Sequence, residues 1–224
     1  MPQRVGIIGS SGGSALQAAR ACLLAAGFPL DLIVITDRDC GLGRWAVSQG
    51  YESVQLEYAD AIQFSAHALK VLKSYGCQHV LLFYTRRVAA PLINHVTVYN
   101  IHPSLLPSFP GLHAVAQALS AGAKLLGSTL HRVDEGLDTG EILAQVACPL
   151  PHNISLADAQ RLSYIQKVWL TLVWFESISG ISETSAPKIQ CSGSAIGTSS
   201  AHLKNSALNA AYLKWQGLSE SNSE

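Results

Sequence analysis

Asn100 and His102 stand two residues apart at the end of an apolar run, His95 to Ile101, and Asp138 sits downstream in the loop Asp134-Glu135-Gly136-Leu137-Asp138-Thr139-Gly140. The amide of Asn100 can donate a hydrogen to a carbonyl oxygen that is becoming an oxyanion. Histidine is the side chain suited to proton exchange near neutrality, and His102 could exchange a proton with an attacking or leaving amine. A carboxylate at Asp138 would stabilise the charged imidazole and fix its orientation. Together these groups suit acyl transfer, yet the set contains no obvious nucleophile. Ser104 lacks the G-x-S-x-G surroundings of a nucleophile elbow. Direct attack by a substrate amine on a bound acyl donor is therefore the better scheme. Each residue alone could be a buried polar group satisfied by its neighbours; it is their joint spacing that favours chemistry.

The elements around them must hold this arrangement. Side chains of a strand alternate with period two, so Asn100 and His102 share a face. Pro103, Pro107 and Pro110 with Gly111 make the segment after them a fixed loop rather than a helix. The chain opens with a short strand, Val5 to Gly9, a Gly/Ser turn, Ser10 to Ser14, and a helix from Ala15 to Leu24. Two readings stand for Ser11, Gly12, Gly13, Ser14 and Ala15: a phosphate cradle at a helix N-terminus, or a tight βα turn with Ser14 as N-cap. The segment matches neither a Walker pattern nor a complete dinucleotide fingerprint, so a nicotinamide or ATP site is not supported.

Further strands are expected at 30–36, 53–56 and 79–84, with helices at 42–49 and 60–75 between them. Asp37, Arg38 and Asp39 read most simply as a solvated loop, with a ligand contact as the alternative. Thr85, Arg86 and Arg87 follow a nearly continuous apolar strand, where a parallel sheet could present them to an anion. Helix 113–122 precedes strands 126–133 and 141–146, whose short connection favours an antiparallel pair. Ser155-Leu156-Ala157-Asp158 has the form of a helix start, and that helix continues through Trp169 and Trp174 toward Ile178. The fold class read from these elements is α/β: a mostly parallel sheet with at least one antiparallel strand. Residues 1–181 form one domain; 182–224 is a serine-rich, mobile tail in which 207–215 could form a short docking helix.

Fifteen basic and fifteen acidic residues balance, and charged residues make up 13% of the chain, against roughly 25% in average usage. Nothing in this balance calls for nucleic acid or a membrane as partner. The five cysteines are widely spaced without a C-x-x-C pair, which points to reduced thiols in a cytoplasmic protein and to no metal site. The first residues lack the apolar stretch of a signal peptide, and no run is long enough to span a bilayer.

From Arg4 to Glu176 the chain resembles the 10-formyltetrahydrofolate-dependent formyltransferases, most closely those that act on phosphoribosylglycinamide (GAR) in purine biosynthesis. The resemblance is carried by Asn100-Ile101-His102-Pro103-Ser104-Leu105-Leu106-Pro107, by Phe109-Pro110-Gly111-Leu112-His113, and by Gly127-Ser128-Thr129-Leu130-His131 through Gly140. It implies the Rossmann-like formyltransferase fold, a mostly parallel twisted sheet with helices on both faces, and that Asn100 polarises the formyl oxygen, His102 donates a proton and Asp138 raises the pKa of His102. It also implies folate contacts at Thr85, Arg86, Arg87, Val88, Asn100, Val133, Asp134 and Asp138, and a substrate phosphate at Ser11 to Ala15. Pro103, Gly111 and Gln166 are expected at the acceptor. The cosubstrate is 10-formyltetrahydrofolate, the partners are small molecules, and a homodimer is compatible with the family.

Departures from the family bear on the substrates, among them the lack of an arginine in the loop upstream of Phe64. Ala15 replaces an asparagine of the phosphate turn, Phe83-Tyr84-Thr85-Arg86-Arg87 is bulkier and more polar than the family's pterin segment, and Gln166 stands where a glutamate is expected. Formyl transfer to another amine, such as an amino sugar nucleotide, and hydrolysis of formyl-folate are the alternatives. A folate- or nucleotide-binding regulator without turnover is the alternative of another class.

Overall fold

The computed structural model describes residues 4–180, 196–198 and 201–221. The chain divides into two interleaved compact units: Met1–Ser14, Leu30–Asn100 and Arg132–Glu141 in one, and Ala15–Pro29, Ile101–His131 and Ile142–Glu224 in the other. Composition carries no trace of this division, because each unit draws on several separated stretches.

The first unit is built on parallel strands β1 (Val5–Gly9), β2 (Leu32–Thr36), β3 (Glu52–Gln55), β4 (His79–Phe83) and the first part of β5 (Thr97–His102). Their order is β3-β2-β1-β4-β5, with Gly9 opposite both Thr36 and Phe83 and Leu82 opposite Asn100. Strands β1 and β2 are buried at every position, which explains their unbroken apolar character. Helix α2 (Gly41–Ser48) follows β2, α3 (Ala61–Ser74) follows β3, and the short α4 (Leu92–His95) precedes β5. Asp60 caps α3 by accepting the Gln63 N-H at 2.8 Å, satisfying one of the donors a helix start leaves open. The apolar stripe of α3 then delivers Phe64, Ala68 and Leu72 to a core shared with Ile8, Ile33, Val80 and Leu82.

The second unit holds nearly all of α1 (Ser14–Ala25) and of β6 (Leu125–Arg132), together with α5 (Ala114–Ser120), β7 (Ile142–Pro149), α6 (Leu156–Ser179), β8 (Ile196–Gly197) and α7 (Ser206–Ser221). Strands β6 and β7 are antiparallel, as the short 134–140 connection predicts, with a register shift between Leu130 and His131. The Ser155 hydroxyl accepts the Asp158 N-H at 3.1 Å and starts α6. The strands through β7 are those the sequence leads one to expect; β8, antiparallel to β7 with Val146 opposite Gly197, is not among them.

Of the segment 182–224, residues 182–195, 199–200 and 222–224 lie outside the described residues, and residues 206–221 form helix α7. Helix α7 is seated on α6. Trp169 donates its indole N-H to the Ala201 carbonyl at 2.6 Å, and its ring meets Tyr212 edge-on at 4.7 Å. The buried carboxylate of Glu176 accepts the backbone N-H groups of Lys204 at 2.9 Å and Asn205 at 2.5 Å. Aromatic area and a carboxylate on backbone donors outweigh the polar composition of this segment.

Candidate active site

Strand β5 carries the two leading residues. Asn100 is half-buried and His102 buried. The strand is held in the first unit by Tyr99, whose hydroxyl lies 3.0 Å from His79 Nδ1, and by the Val98 carbonyl, which accepts the Val133 N-H at 2.8 Å. Burial and the nearby Arg132 cation lower the pKa of His79, so its ring serves here as a neutral partner.

His102 is aimed by its own downstream loop. Its Nε2 lies 2.8 Å from the Phe109 carbonyl oxygen. A carbonyl can only accept, so Nε2 carries the hydrogen and a neutral ring keeps its lone pair on Nδ1. The loop that supplies this carbonyl bends sharply: Phe109 has φ +53° and Gly111 φ +81°. The buried Ser104 hydroxyl donates to the Ser108 carbonyl at 2.6 Å. It therefore braces the turn and does not have the setting of a nucleophile.

A second layer fixes the start of that turn. Thr129 on β6 donates its hydroxyl to the Ser104 carbonyl at 2.7 Å and accepts the Leu106 N-H at 3.1 Å. Gln145 on β7 donates to the Leu106 carbonyl at 2.9 Å and to Thr129 Oγ1 at 3.0 Å. Gln145 is in turn gripped through its backbone, its N-H donating to Thr198 Oγ1 at 3.2 Å and its carbonyl accepting the Thr198 N-H at 2.9 Å. Sequence reasoning missed Thr129 and Gln145 as supports. The signal available for Gln145 was a polar residue inside an otherwise apolar strand; Thr129 shares its strand with Ser128, His131 and Arg132 and does not stand out.

The acidic loop in the first unit is equally determined. Asp134 Oδ1 accepts the Gly136 N-H at 3.0 Å and the Thr139 hydroxyl at 2.8 Å. Arg87 donates from Nη2 to the Glu135 carbonyl at 2.7 Å, and Arg132 pairs with Glu141 at 3.0 Å across the loop base. Within this frame Asp138 is half-buried with φ +55°. Of the expected folate contacts, Arg87 and the loop residues Val133 and Asp134 are brought together here. Thr85 and Arg86 are exposed at the end of β4, whereas the Val88 side chain is buried in the core cluster.

The turn after β1 is tight. Gly13 has φ +65°, and a Cβ there would come within 2.6 Å of the Leu42 side chain. The Leu42 N-H donates to the Ser11 carbonyl at 2.9 Å, tying α2 to the turn. Ser11, Gly12 and Ser14 remain exposed, while Gly13 and Ala15 are buried.

Of the residues expected at the acceptor, Pro103 and Gly111 flank the His102 loop and are half-buried. Gln166 is buried on α6 with its amide engaged internally: Oε1 accepts the Ser128 hydroxyl at 2.9 Å, and Nε2 donates to the Leu126 carbonyl at 3.0 Å.

The sequence of residues 4–170 matches the family model described as formyl transferase. The chain belongs to the formyl transferase family. The chain is 35% identical over 158 residues to the trifunctional purine biosynthetic protein adenosine-3 of Drosophila melanogaster, covering 66% of this chain and 12% of that protein. It is 49% identical over 73 residues to the phosphoribosylglycinamide formyltransferase of Bacillus subtilis, covering 32% of this chain and 37% of that one. The chain thus spans well under two thirds of the length of either relative. The crystal structure of glycinamide ribonucleotide transformylase 1 from Symbiobacterium toebii is similar with a TM-score of 0.72 and 32% identity, covering 80% of this chain and 86% of that one. No helix among the described residues is long and apolar enough to cross a membrane.

Proposed function

We propose that this formyl transferase moves the formyl group of 10-formyltetrahydrofolate to the amine of GAR, without a covalent enzyme intermediate. The amine nitrogen attacks the formyl carbon, the bond from that carbon to the folate nitrogen breaks, and the proton lost by the amine ends on the folate nitrogen. Asn100 donates to the oxygen on which negative charge develops. His102 handles the proton through Nδ1, and Asp138 supplies the carboxylate that favours the charged imidazole. Thr85, Arg86, Arg87, Val133 and Asp134 are assigned to the folate, with Val88 limited to its backbone, and Ser11 to Ala15 to the acceptor phosphate. The reduced cysteines suit a cytoplasmic setting.

The observation that carries this reading is the hydrogen bond from His102 to the Phe109 carbonyl. It fixes which ring nitrogen is basic, two residues after an amide on the same strand. A second acceptor is favoured by the internal engagement of Gln166 and by Ala15, which leave the acceptor fewer side-chain partners than the resemblance implies. The test is release of tetrahydrofolate from 10-formyltetrahydrofolate, followed by absorbance, with GAR, with other amines and with water alone. Release that requires GAR and is lost in His102→Ala supports GAR as acceptor. Release without any amine identifies hydrolysis, and binding of formyl-folate without release favours the regulator.

A further inference from the structure

Asp37 and Arg38 leave β2 at the carboxyl edge of the first unit's sheet, and Tyr84 to Arg86 leave β4 at the same edge. Strand β1 lies between them, and its Gly9 pairs with Thr36 on one side and Phe83 on the other. The Ser10 to Gly13 turn therefore emerges between these two segments. The Asp37 carboxylate is wholly shielded from solvent. Arg38 donates to it in bidentate fashion, Nε to Oδ1 at 2.9 Å and Nη2 to Oδ2 at 2.8 Å. Arg86 closes on the same carboxylate, with Nε 3.1 Å from Oδ2. The Arg38 guanidinium holds the pKa of Asp37 below the usual carboxylate range.

One carboxylate here faces two guanidinium groups, so a unit of positive charge is uncompensated within the cluster. Asp39, the next acid along, is paired with Arg44 at 2.5 Å. Both arginines use Nε toward Asp37, and their side chains remain 47% and 39% exposed. Arg86 also lies 4.5 Å from the centre of the Tyr58 ring, and Tyr58 packs on Phe64 and Tyr84. This wall fixes the guanidinium plane before any ligand arrives. A planar, oriented donor edge with surplus positive charge is the chemistry that recognises carboxylate or phosphate.

We infer that Arg38 and Arg86, held by Asp37, form an oxyanion clasp for an anionic group of a substrate. The inference rests on the formyl-transfer reading for the source of that group. Two sources share the chemistry: the carboxylates of a γ-glutamyl chain on the folate, and the phosphate of the acceptor.

The test is direct titration of the full chain with tetra-γ-glutamate and, separately, with inorganic phosphate, in wild type, Arg38→Gln and Arg86→Gln. Arg86→Gln leaves the bidentate Arg38–Asp37 pair in place, and thermal unfolding of each variant checks the fold. Loss of one charge-assisted contact is expected to weaken binding by about tenfold. Weakening confined to tetra-γ-glutamate assigns the clasp to the folate chain; weakening confined to phosphate assigns it to the acceptor. Unchanged binding of both probes in Arg86→Gln, or no saturable binding of either by the wild type at millimolar concentration, overturns the clasp. Because binding is read without turnover, failure of the formyl-transfer reading is seen separately in the tetrahydrofolate-release assay.

Discussion

His102 Nε2 lies 2.8 Å from the Phe109 carbonyl oxygen, so the residue expected to move a proton is oriented by a backbone group seven positions downstream. The neutral ring is expected as the Nε2-H tautomer, with Nδ1 unprotonated. Nitrogen-15 NMR of the labelled histidine ring should give the shift of a bare Nδ1 and a protonated Nε2; the opposite pattern would contradict the assignment. His102→Ala should lower turnover by about 10²–10⁴-fold, and because the ring is buried and donates to the Phe109 carbonyl it should also cost about 1–3 kcal/mol of stability.

Asp138→Asn should also reduce turnover by orders of magnitude, because an amide cannot stabilise a cationic imidazole as a carboxylate does. Its half-buried place in a loop braced by Asp134 and Arg87 leaves the fold intact. Circular dichroism and tetrahydrofolate release, measured on the same sample, separate the two effects. Wild-type turnover in this variant would remove Asp138 from the mechanism.

Thr129 satisfies three groups at once, the Ser104 carbonyl, the Leu106 N-H and the Gln145 amide. Thr129→Val keeps the shape but strands these partners in a buried setting, at a cost of about 1–3 kcal/mol. Thr129→Ser should recover most of that loss. Urea unfolding of the two variants checks the difference.

Lys167 on α6 has its pKa pushed down to about 8 by burial. The unfolded chain binds this proton more tightly than the folded one, so between pH 8 and the ordinary lysine range stability should rise with pH. Below pH 8 both states are charged and the penalty is constant. Lys167→Met should therefore be more stable than wild type at neutral pH and should lose the rise above pH 8. Thermal melts from pH 7 to 10 read both.

Glu176 anchors the start of the C-terminal helix through two backbone N-H groups. Glu176→Ala should increase amide hydrogen exchange across 206–217 while leaving exchange in β4 and β5 as in wild type. Uniform exchange across all these elements would show that α7 is not docked through this carboxylate.

The sequence by itself determined the element order and the chemistry on offer. Apolar runs such as Ile33 to Ile35 must be covered strands, period two aligns Asn100 with His102, the short 134–140 loop requires an antiparallel return, and Asp60 and Ser155 mark helix starts through local hydrogen bonds. All of these depend on residues close in the chain. Tertiary structure alone decided which polar groups meet across long separations. Phe109 offers its carbonyl to His102, Thr129 and Gln145 brace the turn at Ser104 and Leu106, and Gln166 turns inward to Ser128 and Leu126. Likewise Arg38 and Arg86 converge on Asp37, although read singly they look like solvated loop residues, and Trp169 and Glu176 seat a serine-rich segment that composition alone leaves loose. A buried donor or acceptor must find a partner wherever the fold brings one, and that choice depends on packing of distant segments rather than on local periodicity.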